Sequence, residues 1–442
     1  MSKIGLLSLG CAKNQVDSEI MLGLIREGGH EIVKKYDEAE VLIVNTCGFI
    51  SDAKEESINS ILELAEYKKD GNCELLIVTG CLSQRYSEEL KKEMPEVDAI
   101  IGTGNFDAIV EVINDAFGGK KRIEVTNPEF DYDRYLPRTN LTPDHTAYVK
   151  IAEGCNNCCS YCIIPQLRGT LKSRSIENIK EEVEQLAQAG VKEVNIIAQD
   201  ITQYGIDLYG ESKLVDLLKE LLTVDTIRWF RLLYAYPSHL TDEMIDVIAT
   251  EGRILNYLDL PVQHADNEIR KQMNRGGTKK DVLRTIKKLR KRIPDITLRT
   301  SLIVGFPGES EEQFETLVDF VKEAEFDRLG AFTYSQEEGT VAAKMPCQIP
   351  EDRKQERYER VMSIQEDISY RRNQAWVGKV VEVLLEEVQS EEEAIMVGRT
   401  RRDAPDVDGV IYVEGTSAKI GDMIKVKVSQ AYEYDLVGVE IE

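Results

Sequence analysis

Apolar and polar residues along the first hundred positions follow the pattern of an α/β layer. Short, continuously apolar runs, as expected for strands buried on both faces, are separated by segments whose apolar residues recur every three or four positions. The predicted strands are Ile4–Leu9, Val41–Val44, Leu75–Val78 and Val97–Ile101, and the predicted helices are Ser18–Glu27, Ala53–Tyr67 and Phe106–Phe117. This order predicts a doubly wound layer in a first domain of residues 1–118.

A stretch rich in Pro, Asn, Asp and Tyr, from about 119 to 144, predicts a linker close to the active site. Six strand–helix units follow, in a predicted domain of residues 141–372. Their strands are Ala147–Ala152, Glu193–Ala198, Ile227–Tyr234, Tyr257–Leu260, Thr297–Val304 and Leu329–Tyr334, with helices such as Ile176–Ala189 and Glu311–Ala324 between them. Six units predict an open (β/α)6 partial barrel, whose active site belongs at the C-terminal ends of the strands.

The pattern changes again after a predicted helix at Arg353–Arg372. Residues 375–442 contain the short alternating runs VVEVLLEEV, GVIYVEG, DMIKVKVSQA and YDLVGVEIE, which are separated by turns containing Gly and Asp. This pattern predicts a small antiparallel β-barrel. The predicted fold class is therefore α/β: a doubly wound N-terminal layer, an open partial barrel and a C-terminal β-barrel.

Composition narrows the function. No apolar segment approaches the roughly 20 residues of a membrane helix, and the N-terminal apolar run is too short for a signal peptide. We therefore expect a cytoplasmic protein, in which nine cysteines serve as metal ligands or catalytic thiols rather than disulfides. The net charge of −24, from 79 acidic and 55 basic residues, favours a cationic or neutral partner over a nucleic acid.

The strongest chemical signal lies at the end of the first barrel strand, where GCNNCCSYC occupies residues 154–162. Cys155, Cys159 and Cys162 have the spacing C-x3-C-x2-C, and Cys158 is an additional thiol. Three thiolates hold three irons of a four-iron cluster and leave the fourth iron open. The alternatives are inert thiols or a closed zinc site, which needs a fourth ligand such as Cys158.

A second set of cysteines follows the first three predicted strands: Cys11, Cys47 and Cys81. Their intervals of 36 and 34 residues each match one strand–helix unit. Because the C-terminal ends of parallel strands lie along one edge of the sheet, we expect the three thiolates to converge on one crevice. The alternative is that small residues simply favour turns at strand ends. Cys73 and Cys347 are expected to be ordinary thiols.

The two sets, in this order and followed by a β-module, resemble the methylthiotransferase family of radical S-adenosylmethionine (SAM) enzymes over essentially the whole chain. The matching segments are SLGCAKNQVDSE, IAEGCNNCCSYCIIPQLRG, AQDITQYGIDLYG, LPVQHADNEIRKQMNRG and TSLIVGFPGE. Within the family, AQDITQYGIDLYG and RTRRDAPDVDGVIYV resemble the branch that modifies an aspartate of a small-subunit ribosomal protein more than the tRNA branch. Cys158 departs from the family pattern.

The resemblance implies a methylthiotransferase domain, a radical SAM core and a TRAM module, with SAM and two [4Fe-4S] clusters as cofactors. Cys155, Cys159 and Cys162 would hold the radical cluster, and Cys11, Cys47 and Cys81 an auxiliary cluster that carries the sulfur. A deoxyadenosyl radical would abstract hydrogen from the β-carbon of the target aspartate, sulfur would trap that carbon, and a second SAM would supply the methyl group. The implied partners are a basic small-subunit ribosomal protein, an electron donor and a sulfur source.

Five residues are predicted to bind SAM because of their positions in segments that resemble the superfamily: Tyr161, Gln199, Arg299, Ser301 and Gly305. Structural roles are equally compatible with the sequence at each position. His264 follows a strand and is expected to be a hydrogen-bonded structural residue rather than a proton carrier.

Two basic segments raise the question of RNA contact. Lys279–Arg292 holds eight basic residues and one Asp, but its apolar residues keep helical spacing, which predicts a barrel helix with a solvated basic face. From Trp376 to Glu442 the chain has fifteen acidic and seven basic residues, a net charge of −8, although Arg399-Thr400-Arg401-Arg402 forms a local basic spot. We therefore expect no tRNA binding and a module that attracts a basic ribosomal protein, with Glu391, Glu392 and Glu393 as a contributing acidic cluster.

Two other functions remain open on the sequence. The first is a tRNA methylthiotransferase that modifies an isopentenylated adenosine with the same chemistry. The second is a non-enzymatic electron carrier with two clusters, which would not need a barrel-sized domain.

Overall fold

The computed structural model describes residues 1–134, 136–390, 392 and 394–441. The N-terminal elements are β1 (Lys3–Ser8), α1 (Ala12–Glu27), β2 (Glu31–Ile32), β3 (Val41–Thr46), α2 (Ser51–Asp70), β4 (Leu75–Gly80), α3 (Cys81–Glu93), β5 (Ala99–Ile101), α4 (Ile109–Phe117) and β6 (Arg122–Glu124). The strands form one parallel sheet in the order β2-β1-β3-β4-β5-β6. Because α1 and α4 cover one face and α2 and α3 the other, the predicted doubly wound layer is confirmed.

Three of these elements were not predicted. β2 has two residues and β6 has three, which is too short for a periodic signal. α3 is mostly polar and buries only a narrow face, with Leu82 and Leu90 as its large apolar contacts. β6 also occupies the beginning of the segment predicted to be a linker, whose later residues Phe130 and Tyr132 are buried. That segment is therefore packed into the fold.

The middle of the chain forms the open barrel. Its elements are β7 (Thr146–Lys150), β8 (Ala152–Glu153), α5 (Ile164–Arg168), β9 (Lys172–Ser173), α6 (Ile176–Gln188), β10 (Glu193–Ile197), α7 (Ile206–Tyr209), α8 (Leu214–Leu221), β11 (Trp229–Leu232), α9 (Asp242–Thr250), β12 (Ile254–Asp259), α10 (Asn267–Gln272), α11 (Lys279–Arg292), β13 (Thr297–Val304), α12 (Glu311–Ala324), β14 (Arg328–Thr333) and α13 (Glu351–Gln374). Six parallel strands pair in the order β14-β13-β12-β11-β10-β7, so β7 and β14 are free edges and the predicted partial barrel is confirmed.

Alternating side chains on the barrel strands serve two cores. In β13, Leu298, Leu302 and Val304 pack under the outer helices, whereas Arg299 and Ser301 lie on the inner face. The inner face is continuous with the N-terminal layer: residues of α1 and α4 join inward-facing residues of β7, β10, β11 and β12 in one apolar cluster. The N-terminal layer therefore packs directly on the barrel interior. None of the helices formed by described residues is long and apolar enough to cross a membrane.

The C-terminal module is a closed barrel of β15 (Val380–Ser390), β16 (Ile395–Thr400), β17 (Ile411–Glu414), β18 (Met423–Ala431) and β19 (Leu436–Glu440). Four of its five strand pairs are antiparallel, as predicted, but β17 and β19 are parallel. The reason is arithmetic, because five strands that alternate in direction cannot alternate all the way around a closed ring.

Buried ion pairs hold the module against the end of the barrel at which the strands begin. Arg399 is 2% exposed and binds Glu193 of β10 and Glu386 of β15, the latter at 2.6 Å. Arg328 binds Asp403 at 2.6 Å. The basic spot predicted at residues 399–402 is therefore largely an internal docking surface, and only Arg401 within it is half-exposed.

Replacing Arg399 by Met tests this docking. Glu193 and Glu386 would lose a partner in a buried interface, so we expect the free energy of unfolding to fall by about 3 kcal/mol. The two tryptophans of the chain report on the interface, because Trp229 Nε1 donates to Glu382 at 3.0 Å and Trp376 packs under Arg402. Denaturant unfolding followed by tryptophan fluorescence measures the change. The exposed pair Arg353–Glu356 gives the control, Arg353→Met, and equal midpoints for both variants would contradict the expectation.

Candidate active site

The three cysteines of the N-terminal layer lie at the ends of hydrogen-bonded neighbouring strands, as predicted. Cys11 follows β1, Cys47 follows β3 and Cys81 begins α3 directly after β4. Each thiol lies within electrostatic reach of the others. Burial raises the pKa of Cys47 to about 12 and also raises the pKa of Cys81. These thiols therefore stay protonated unless a metal displaces the proton.

Asn14 and a glycine bring the loops of this set together. The side-chain amide of Asn14 donates to the carbonyls of Leu9 and Thr46, both at 2.9 Å, and so ties the loop after β1 to the end of β3. Gly10 has φ +88°, and a Cβ atom there would lie 2.9 Å from Cβ of Cys47. Only glycine permits this approach. The sequence around Cys11 thus specifies where its thiol lies relative to Cys47.

The second set lies in the loop between β8 and α5. Cys162 N–H donates to the Cys159 carbonyl at 3.0 Å, and Asn157 N–H points at Cys155 Sγ at 3.5 Å. Burial raises the pKa of Cys155 to about 11 and that of Cys162 to about 12. Arg275 Nη1 lies 3.8 Å from Cys159 Sγ. A cation is therefore in place beside this set.

Cys158 differs from its neighbours. It is exposed, whereas Cys155, Cys159 and Cys162 are half-buried. Its backbone is left-handed, with φ +48°, and its carbonyl accepts from Asn274 at 2.9 Å. This placement agrees with the spacing that leaves Cys158 out of the three-cysteine set.

A fully buried charge network joins the two cysteine sets. Arg168 of α5 binds Asp17 of α1 at 2.6 Å and Glu153 of β8 at 3.1 Å. Lys150 of β7 binds the same two carboxylates, at 2.5 and 2.6 Å, and the hydroxyl of Tyr132. Burial alone would raise the pKa of Glu153, but Lys150 and Arg168 hold it well below its ordinary value.

Apolar contacts close the same junction. Cys81 packs against Ile163, the residue after Cys162, and against Leu167 of α5. The segment that follows the second cysteine set therefore contacts a cysteine of the first set.

Of the five predicted SAM contacts, Gln199 has the clearest indication of a ligand. It follows β10, and its amide nitrogen donates to Glu153. Its Oε1 atom is buried without a hydrogen-bond partner among the described residues. An acceptor left unpaired at a barrel mouth is expected to bind a donor from a ligand.

Tyr161 and Gly305 lie near the same mouth. Tyr161 packs in a cluster with Met273 and Phe306. Gly305 has φ +74°, and a Cβ atom there would lie 2.3 Å from Cγ of Lys354, so the turn requires glycine. These positions are compatible with SAM binding, which stays a prediction for both residues.

Arg299 and Ser301 lie on the inner face of β13. The Arg299 guanidinium binds Asp259 at 3.0 Å and Asp408 of the C-terminal module at 3.4 Å. These contacts give Arg299 a role in docking the module, and SAM binding by Arg299 and Ser301 stays a prediction. His264 is completely buried; its Nδ1 accepts from Asp266 N–H at 3.0 Å, and its Nε2 has no hydrogen-bond partner among the described residues. Its structural role stays a prediction.

Both sets fit a [4Fe-4S] cluster. Among the described residues, no three His, Cys, Asp or Glu side chains converge as ligands of a single metal ion, whereas the three thiolates of a cluster bind three different irons. Each set also has an arginine beside it, the half-buried Arg275 near Cys159 and the buried Arg168 near Cys81. A cation offsets the negative charge of a thiolate-bound cluster in a low-dielectric site.

Comparison with known proteins identifies the family. The radical SAM superfamily profile matches residues 149–321, that of the uncharacterized protein family UPF0004 matches residues 3–102, and that of the TRAM domain matches residues 377–441. The ribosomal protein uS12 methylthiotransferase RimO of Desulforamulus reducens is 53% identical over 440 residues, 99% of each chain. The RimO protein of Syntrophotalea carbinolica is 50% identical over 437 residues, 99% of this chain and 96% of that one. The chain belongs to the RimO family.

The predicted family is thereby confirmed, and membership of the radical SAM superfamily implies SAM and [4Fe-4S] cofactors. A solved structure agrees on the fold. The radical SAM methyltransferase TsrM from Kitasatospora setae matches with a TM-score of 0.53 at 14% identity, over 75% of this chain and 72% of that one.

Sequence reasoning missed Lys13, the second residue after Cys11 in α1. Its ammonium lies 3.0 Å from the centroid of the Tyr234 ring, and burial lowers its pKa to about 8. Sequence reasoning also missed Arg168 and Arg275. All three stand inside segments that resemble the family, but their spacing carries no chemical signal, and only the tertiary contacts reveal them.

The ligand assignment makes a prediction about iron. Changing Cys155, Cys159 and Cys162 together to Ala should remove one cluster from anaerobically reconstituted protein, leaving about four of eight irons. Changing Cys11, Cys47 and Cys81 together should remove the other. Iron and sulfide analysis measures the loss, with Cys73→Ala as a control that keeps both clusters. A triple variant with the full iron content would refute the assignment.

Cys158 provides a separate test of the spacing. Because its thiol is exposed and outside the set, Cys158→Ala should keep both clusters and cleave SAM at close to the parent rate. Deoxyadenosine formation, normalised to iron content, is the measurement. Loss of one cluster in this variant would mean that the ligands have been assigned in the wrong register.

Proposed function

We propose that the chain is a radical SAM methylthiotransferase that modifies the β-carbon of an aspartate in ribosomal protein uS12. The observation that carries the proposal is that the segment after the second cysteine set contacts the first: Ile163 and Leu167 pack on Cys81, and Arg168 binds Asp17 and Glu153. An enzyme that activates a carbon at one cluster and delivers sulfur from another needs both within reach of one substrate atom. An electron carrier needs no such shared site.

The residues of the chain have distinct proposed roles. Cys155, Cys159 and Cys162 hold the radical cluster, and Cys11, Cys47 and Cys81 hold the auxiliary cluster. When bound, these groups and SAM supply the carbon radical and the sulfur, while an external electron donor and sulfur source complete the reaction. Gln199 orients SAM through its unpaired Oε1, and Glu153 fixes the Gln199 amide. Arg168 keeps the two sets at a constant separation.

The charge distribution supports a basic protein substrate. A ribosomal substrate would place the reaction in the cytoplasm. The module is acidic overall, and Arg399 and Arg402, two of its seven basic residues, are buried at the barrel. Glu392 is exposed, whereas Glu391 and Glu393 lie outside the described residues. An acidic surface steers a basic protein towards the site and repels a phosphate backbone.

The basic helix α11 is a barrel helix with a solvated basic face, as predicted, and its apolar side is buried. Several of its cations also contact neighbouring helices: Lys287 pairs with Glu323 at 3.3 Å, Lys288 pairs with Asp242, and Arg290 donates to the carbonyl of Ala324 at 2.7 Å. The structural role of this helix thus accounts for its basic residues without RNA.

Reaction with the two candidate substrates tests the proposal. Reconstituted full-length protein, supplied with SAM, a reductant and a sulfide source, should add a methylthio group to one aspartate of uS12, as measured by peptide mass spectrometry. The triple variant of Cys11, Cys47 and Cys81 is the control and should still form deoxyadenosine without the product. If the protein modifies tRNA and leaves uS12 unmodified, the alternative function is established.

A further inference from the structure

Lys13 is a buried cation that lacks an ionic partner. The residue is 7% exposed, and among the described residues no carboxylate oxygen lies within ion-pair distance of its ammonium. The neighbouring buried cations are all paired: Lys150 and Arg168 with Asp17, and Arg299 with Asp259. Burying an ammonium without a carboxylate is costly unless another group offsets its charge.

The one contact that the structure gives the ammonium is the face of Tyr234, 3.0 Å from the ring centroid. Tyr234 follows β11 at the barrel mouth and has φ +65°, a conformation that aromatic residues rarely adopt. Its N–H donates to Asp259 at 3.2 Å, and its carbonyl accepts from Ile201 N–H at 3.1 Å. These bonds hold the ring across the mouth, so the ammonium has a fixed place.

That place lies beside the first cysteine set and near the buried charge network that precedes the second. Lys13 is two residues from Cys11, and its charge is within electrostatic reach of Cys11, Asp259 and Glu153. Glu153 stands two residues before Cys155. The ammonium is therefore near a residue of the first set and near the segment that leads into the second.

The carboxylates that face Lys13 already have partners. Asp259 binds Arg299 and the Tyr234 N–H, and Glu153 binds Lys150, Arg168 and Gln199. The negative charges of Asp259 and Glu153 reduce the energetic cost of burying the ammonium, although neither carboxylate forms an ion pair with it. The ammonium therefore remains available to an anion that enters the mouth.

We propose that Lys13 binds the side-chain carboxylate of the target aspartate and so selects aspartate as the residue to be modified. The inference rests on the proposed function, and it deepens it by naming the group that recognises the substrate side chain. The β-carbon of aspartate is bonded directly to its carboxyl carbon, so an ion pair between Lys13 and the carboxylate oxygens places the reacting carbon two bonds from the atoms that Lys13 holds. Charge-assisted hydrogen bonds are short and directional, which suits this positioning role.

The test compares binding of uS12 carrying the target aspartate with binding of uS12 in which that aspartate is changed to asparagine. Reconstituted full-length protein with SAM and without reductant is titrated against labelled uS12, so that affinity is measured apart from turnover. The parent should prefer aspartate by about tenfold or more, because the amide lacks the charge that Lys13 pairs with. Lys13→Met should bind the two forms equally, and Lys13→Arg should retain a preference for aspartate.

Lys379→Met is the matched control. Lys379 also lies over an aromatic ring, 4.4 Å from the Trp376 centroid, but on the module and away from both cysteine sets. This variant should keep the parent preference. Iron content is measured for each variant, and Lys13→Gln replaces Lys13→Met if the latter fails to load both clusters.

The outcomes separate the inference from the proposed function. The parent protein could methylthiolate uS12 while the Lys13→Met variant still prefers aspartate over asparagine. That result would overturn the inference, because Lys13 would then only pack against Tyr234. A parent protein that does not modify uS12 would overturn the proposed function itself. Loss of preference in Lys13→Met, with full iron content and an unchanged Lys379→Met, supports the inference.

Discussion

Four charged side chains that water cannot reach fix the position of one cysteine set relative to the other. Asp17 comes from the N-terminal layer, and Lys150, Glu153 and Arg168 come from the barrel. Each is less than 5% exposed. Buried charges are tolerated only when every partner is in place, and removing one leaves another uncompensated. These ion pairs therefore favour the register in which the layer and the barrel are docked, which is also the one that brings Cys81 against Ile163 and Leu167.

The sequence reveals most where the chemistry is local. Cys155, Cys159 and Cys162 could be assigned because their spacing is short, and Cys11, Cys47 and Cys81 because each follows a strand of one parallel sheet. The strands of the barrel could be located for the same reason, since buried parallel strands form unmistakable apolar runs. Features that depend on distant partners could not be read in this way. Arg299 was expected to bind SAM, and nothing in its own segment indicates that it pairs with Asp408.

Arginine distribution shows why composition alone misleads. The spot at Arg399-Thr400-Arg401-Arg402 looks basic in the sequence, yet Arg399 and Arg402 are buried against other parts of the same chain. Similar numbers of acidic and basic residues are buried, so the surplus of acidic residues faces solvent. A protein can thus be strongly acidic outside and rely on cations inside, where each guanidinium organises several carboxylates and carbonyls at once.

The C-terminal module also bears on how the chain folds as it is made. Domains generally fold in the order of their synthesis, and the module follows the barrel in the chain. Until it emerges, Glu193 lacks Arg399, and the inner residues Tyr257 and Arg299 lack Asp408. The end of the nascent barrel at which the strands begin therefore stays open to water until the module is made. The cysteine loops lie at the opposite end of the strands, so every cysteine of both sets has been synthesised before that closure.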